Sequence, residues 1–80
     1  MMSPGEIRSA LKAQPFRPFT IHLADQRAFR VPHPEYAYVH PKGRFVIVTQ
    51  DDGSYDLADM LLVTGIHVAA NAAGGEGDRV

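Results

Sequence analysis

Three apolar positions near the start of the chain recur at helical spacing. Ile7, Ala10 and Leu11 fall at i, i+3 and i+4, on one face of a helix. Ser3 suits the N-cap, Pro4 the first helical position, and Glu6 completes a capping box. Pro15 stops the pattern, which predicts a helix over about residues 4–13. Two prolines then stiffen the connector PFRPF, where Phe16 and Phe19 read as anchors that dock the helix on a sheet.

From Phe19 the period changes to two. Phe19, Ile21 and Leu23 alternate with Thr20, His22 and Ala24, which predicts a strand. Asp25-Gln26 marks a tight turn, and Arg27–Val31 resumes the alternation with Phe29 and Val31 on one side and Arg30 on the other. Pro32-His33-Pro34 breaks it. Glu35–His40 reads as a short strand or an irregular edge, and Pro41-Lys42-Gly43 as a turn. Arg44–Gln50 contains the consecutive apolar residues Phe45–Val48, the pattern of a central strand buried on both faces. Asp51-Asp52-Gly53 predicts a hairpin turn and Ser54–Leu57 the returning strand. Ala58-Asp59-Met60 suits one helical turn capped by Asp59. Leu61–Val68 is the last strand, with Gly65 the expected bulge. Residues 69–80 lose all periodicity and are expected to form a disordered tail.

One helix before about five short strands predicts a mainly β domain over residues 1–68. The expected architecture is a small antiparallel barrel of the SH3-like or Sm-like kind. The alternative is an open antiparallel meander with the helix on one face. Composition changes this picture only by exclusion. The chain has 80 residues, is 45% hydrophobic and 21% charged, and contains no Cys and no Trp. Disulfides, thiolate metal sites and a cysteine nucleophile are thereby excluded. No apolar run approaches the ~20 residues of a membrane span. The opening MMSPGEIRSALKAQP lacks the apolar run of a signal peptide, so a cytoplasmic protein is expected. A domain of this size buries only about 60% of its unfolded surface and leans on a dense core or on a partner.

The net charge of −1 conceals a split. Residues 1–44 hold seven cations against three acids, net +4, and residues 45–80 hold one cation against six acids, net −5. Complementary surfaces between copies are one use of such a split.

Two resemblances attach to specific residues. PFRPF at 15–19, HPE at 33–35 and the closing VTGI at 63–66 resemble a pattern in a group of short bacterial proteins with no assigned function. The likeness covers roughly residues 5–68 and implies no activity. The order of helix, IHLADQRAFRV and YDLADMLLVTGIHV is also similar to Sm-like proteins, including RNA chaperones of the Hfq type. There the first strand ends in Asn-Gly where this chain has Asp25-Gln26. The later Tyr-Lys-His-Ala signature reads Tyr55-Asp56-Leu57-Ala58, so only Tyr55 and Ala58 match and the RNA-contacting pair does not.

Candidate chemistry is sparse. His22, His33, His40 and His67 lack metal-ligand spacing, so no metal and no cofactor is expected. Ser3, Ser9 and Ser54 lie in no nucleophile elbow. Asp51, Asp52, Asp56 and Asp59 read as solvated turn and strand-end acids rather than an acid–base pair. Gly74-Gly75 has no following helix to cradle a phosphate. The best binding candidates are Arg27, Arg30, His33, Tyr36, Tyr38, Lys42 and Arg44, with His40 among them. Cations interleaved with tyrosines track phosphates and stack bases. The expected function is a non-enzymatic interaction module that self-associates as a homo-oligomer. The alternative is an Sm-like RNA- or DNA-binding protein.

Overall fold

The computed structural model describes residues 3–69. The tail expected beyond Ala69 lies outside the described residues. Helix α1 spans Pro4–Lys12. The Ser3 hydroxyl accepts the Gly5 N–H at 3.2 Å, while the Glu6 N–H donates to the Ser3 carbonyl at 3.1 Å. Glu6 in the first turn and Lys12 in the last complement the helix dipole. Ile7 is fully buried, with Ala10 and Leu11 packed beside it.

Six strands follow: β1 Phe19–Leu23, β2 Ala28–Val31, β3 Ala37–Val39, β4 Phe45–Thr49, β5 Tyr55–Asp59 and β6 Val63–Val68. They form two antiparallel three-stranded sheets, in the orders β2-β1-β6 and β3-β4-β5. The hydrogen-bonded ladders do not close into a barrel, and there are six strands where about five were expected. The reason lies at Pro32–Tyr36. Pro32 and Pro34 interrupt the ladder and Pro34–Tyr36 forms a 3-10 turn, so one expected run becomes β2 and β3 in different sheets. A second 3-10 turn, Met60–Leu62, separates β5 from β6, with the Asp59 carboxylate accepting the Leu61 N–H at 2.9 Å.

The two sheets and α1 share one core. Phe19, Ile21, Phe29 and Val31 enter it from one sheet, Val39, Val46, Val48 and Ala58 from the other, and Ile7 from the helix. Phe16 packs against this core with its ring 6.0 Å from that of Phe19, the anchoring role expected of the pair.

Turn chemistry follows the sequence closely. Gln26 carries the tight turn in the left-handed region, with φ 78°. The bulge lies beside Gly65: His22 pairs with Gly65 and Leu23 with Val63, so Thr64 is the extra residue. The strand Phe45–Val48 departs from expectation. It is central in its sheet, but only Val46 and Val48 are buried, while Phe45 and Ile47 are half-buried. Its second face is covered by nothing in the described chain comparable to the core on its first.

Candidate functional site

The seven predicted binding residues do not share one surface. Arg27 and Arg30 belong to the β1–β2 hairpin, where Arg30 opposes Thr20 on the outer side of the β2-β1-β6 sheet. Arg27 is exposed and engaged locally: its Nε donates to the Asp25 carboxylate at 2.8 Å, and its guanidinium lies 5.4 Å from the centre of the Phe29 ring. His33 and Tyr36 sit at the first 3-10 turn with rings 5.5 Å apart. Tyr38 lies on the outer side of the other sheet, and Lys42 and Arg44 in the turn before β4. His40 serves structure: its ring lies 4.8 Å from that of Phe45, and its Nδ1 accepts the Lys42 N–H at 3.0 Å. His22 and His67 lie on adjacent strands, because β6 pairs with β1. Among the described residues, no three of His, Asp and Glu converge as metal ligands.

What the fold does assemble is the outer face of the β3-β4-β5 sheet. Pairing puts Tyr38, Ile47 and Leu57 in one row across the three strands. Thr49 and Tyr55 form the row on one side, and Phe45 and Asp59 the row on the other. Their neighbours Val39, Val46, Val48 and Ala58 point inward to the core, so strand alternation forces this set outward. Tyr38 and Leu57 are each 53% exposed and Tyr55 is 66% exposed. Six apolar side chains on a face of three short strands form a contiguous patch, the feature that marks an interaction surface rather than a scattered exposed Leu.

Opposite charges flank the patch. At the β4–β5 end lie Asp51 and Asp52. The Tyr36 hydroxyl donates to the Asp51 carboxylate. The Asp52 carboxylate accepts the Ser54 hydroxyl at 2.6 Å and the Ser54 N–H at 2.9 Å. The hydroxyl bond first, then the N–H, holds the Asp52 carboxyl below its ordinary range. At the β3–β4 end lie Lys42 and Arg44. Arg8 reaches this end from α1, its guanidinium donating to the His40 carbonyl at 2.6 Å and the Pro41 carbonyl at 2.9 Å. A cleft of about 570 Å³ opens beside it, lined by Pro4, Lys42, Arg44, Asp59, Met60 and Leu61.

Asp51 also acts on Tyr36. Its hydrogen bond, and then its charge, raise the phenol above the ordinary value of 10.0. The bond favours the neutral phenol of the folded state. Its contribution to stability is therefore present below about pH 10 and is lost as pH rises through the raised folded value. Titration of tyrosinate absorbance is expected to show one phenol ionising late, and Asp51→Ala to bring it earlier. Superimposable wild-type and variant curves would refute the coupling.

Sequence reasoning missed Ile47, Leu57 and Tyr55 as surface residues, and Arg8 as the clamp between helix and turn. The four-residue apolar run was the available signal, but it was read as two buried faces. No helix among the described residues is long and apolar enough to cross a membrane. No family model, curated protein or solved structure matches the chain.

Proposed function

We propose that this chain is a non-enzymatic interaction module that self-associates through the outer face of the β3-β4-β5 sheet. The exposed row Tyr38–Ile47–Leu57 carries the reading. A central strand with apolar residues on both sides completes its burial only when a second surface covers it. Size argues the same way, because an 8.8 kDa chain gains core area by associating.

The strand order also supports a small-barrel reading of the SH3-like or Sm-like kind. Neighbours run β6-β1-β2, pass the first 3-10 turn to β3-β4-β5, and return to β6 through the second. The RNA-binding version of that fold has less support. Its candidate cations are divided between two sheets, and Ala58, one of two residues matching the Sm-like signature, is buried in the core.

The test is solution mass by light scattering across protein concentration and salt, with the absorbance ratio of the same peak. The expected result is a mass above 8.8 kDa at high concentration, free of nucleic acid and largely retained in high salt. A monomer at every concentration up to the millimolar range overturns the reading. Copurified nucleic acid that dissociates steeply with salt favours the alternative instead.

A further inference from the structure

The charges at the two ends of β4 select one arrangement of two copies. Building on the self-association reading, we infer that the β3-β4-β5 sheets of two chains pack face to face about a two-fold axis that runs along the row Tyr38–Ile47–Leu57, with the β4 strands antiparallel.

A two-fold axis relating two facing sheets lies in the plane between them. Two simple choices exist. An axis along β4 lays each turn over its own copy, cations on cations and carboxylates on carboxylates. An axis across β4 reverses the partner strand, so the turn with Lys42 and Arg44 of each chain faces the partner's Asp51 and Asp52. Only the second choice is electrostatically complementary. The local balance agrees. Arg8 adds a third cation at the basic end, against Asp59, whose carboxylate already caps the second 3-10 turn. Glu35 lies close enough to Tyr36 to act on its phenol, adding a further negative charge at the acidic end.

The side chains fit the same axis. Ile47 is the middle residue of the five in β4, and β4 is the middle strand of three. It therefore sits at the centre of the face. On the chosen axis the apolar row packs against itself, and Tyr55 comes over the partner's Asp59, within reach of a phenol-to-carboxylate hydrogen bond. Edge-to-edge pairing is opposed on the β5 side. Asp56 pairs with Val48 and so lies on the inner side of that edge strand, where a charge discourages ladder extension.

The area is small. Five residues at about 3.4 Å and three strands at about 4.8 Å give a face of roughly 17 by 14 Å. That is well under the ~800 Å² per partner of a standard interface, so the dimer is weak and belongs to high micromolar concentrations.

The experiment is sedimentation or light scattering on the full chain and three variants, with folding followed by circular dichroism. Ile47→Asp places two carboxylates together at the centre and is expected to raise the dimer dissociation constant about 100-fold. Lys42→Glu with Arg44→Glu is expected to weaken association about 3- to 10-fold. Asp51→Lys with Asp52→Asn should do the same, the asparagine keeping an acceptor for Ser54. An equimolar mixture of these two charge variants restores both ends and returns the dimer mass. Three results go against the inference, and they differ. If wild type associates and all variants match it, self-association stands on another surface and this geometry is wrong. If the charge variants weaken association but the mixture does not recover it, the turns do not face each other. If wild type is monomeric throughout, the self-association reading itself fails. The charge variants lie in exposed turns, so the test stands even if Ile47→Asp unfolds.

Discussion

Phe19→Ala is expected to destabilise the chain by about 3–5 kcal/mol. Phe19 is 1% exposed and is the largest of the fully buried side chains. It opens β1, pairing with Val31 on one side and Val68 on the other, so its ring stands where both ladders of its sheet begin. Phe16 packs on it from the connector, and Ile7 of α1 belongs to the same cluster. Removing the ring opens a cavity beneath the helix, sheet and connector together, and α1 is too short to hold itself once its platform is lost. Small domains have net stabilities of about 5 kcal/mol or a little more, so the variant is expected to be largely unfolded. Chemical denaturation is the check. A midpoint close to wild type would mean that the core closes over the gap, and that the anchoring argument is wrong.

Gly43→Ala is expected to cost about 2–3 kcal/mol, more than Gly53→Ala, at about 1–2 kcal/mol. Both glycines hold left-handed backbone, with φ of 72° and 90°. They differ in their surroundings. A Cβ at Gly43 would lie 2.7 Å from Cγ of Pro4, whereas one at Gly53 would meet nothing within 4 Å. Pro4 is a rigid ring in the first turn of α1, so it cannot swing aside as a long side chain would. Relief requires moving the helix start or refolding the turn, and the Arg8 bonds to the His40 and Pro41 carbonyls resist both. Parallel urea titrations decide it. Equal losses at the two positions would show that the turn yields freely and that helix and turn are not tightly apposed.

These predictions use contacts of very different sequence reach, and that reach explains what could be read in advance. The Ser3 cap, the Asp59 cap and the Asp51-Asp52-Gly53 turn are local. Each partner lies within two or three residues, so spacing alone exposed them. The bulge beside Gly65 was visible for a similar reason. Strand partnership was not. The β1–β6 ladder joins residues more than forty positions apart, and no pattern in either segment names the other. The Arg8 clamp left no trace at all, because its acceptors are backbone carbonyls, which every residue carries. The patch around Ile47 was half legible. Period-two reading marks which side chains share a face, but whether that face is covered depends on the rest of the fold. The tyrosines were noticed as possible base-stacking groups. The fold instead sets Tyr38 and Tyr55 among aliphatic neighbours and ties the Tyr36 hydroxyl to Asp51.

The surplus residue in β6 bears on how the chain tolerates changes of length. Strand alternation is a parity rule: core positions on one strand are normally separated by an even count. Val63 and Ile66 break it, being three apart yet both turned to the core side, buried and half-buried respectively, and Thr64 absorbs the odd step. Deleting Thr64 leaves Val63 opposite Leu23 and Gly65 opposite His22, an uninterrupted ladder with every inward side chain still inward. Deleting a residue after the bulge inverts whatever lies beyond it. In this sheet, then, tolerance to a one-residue deletion in β6 concentrates at a single position.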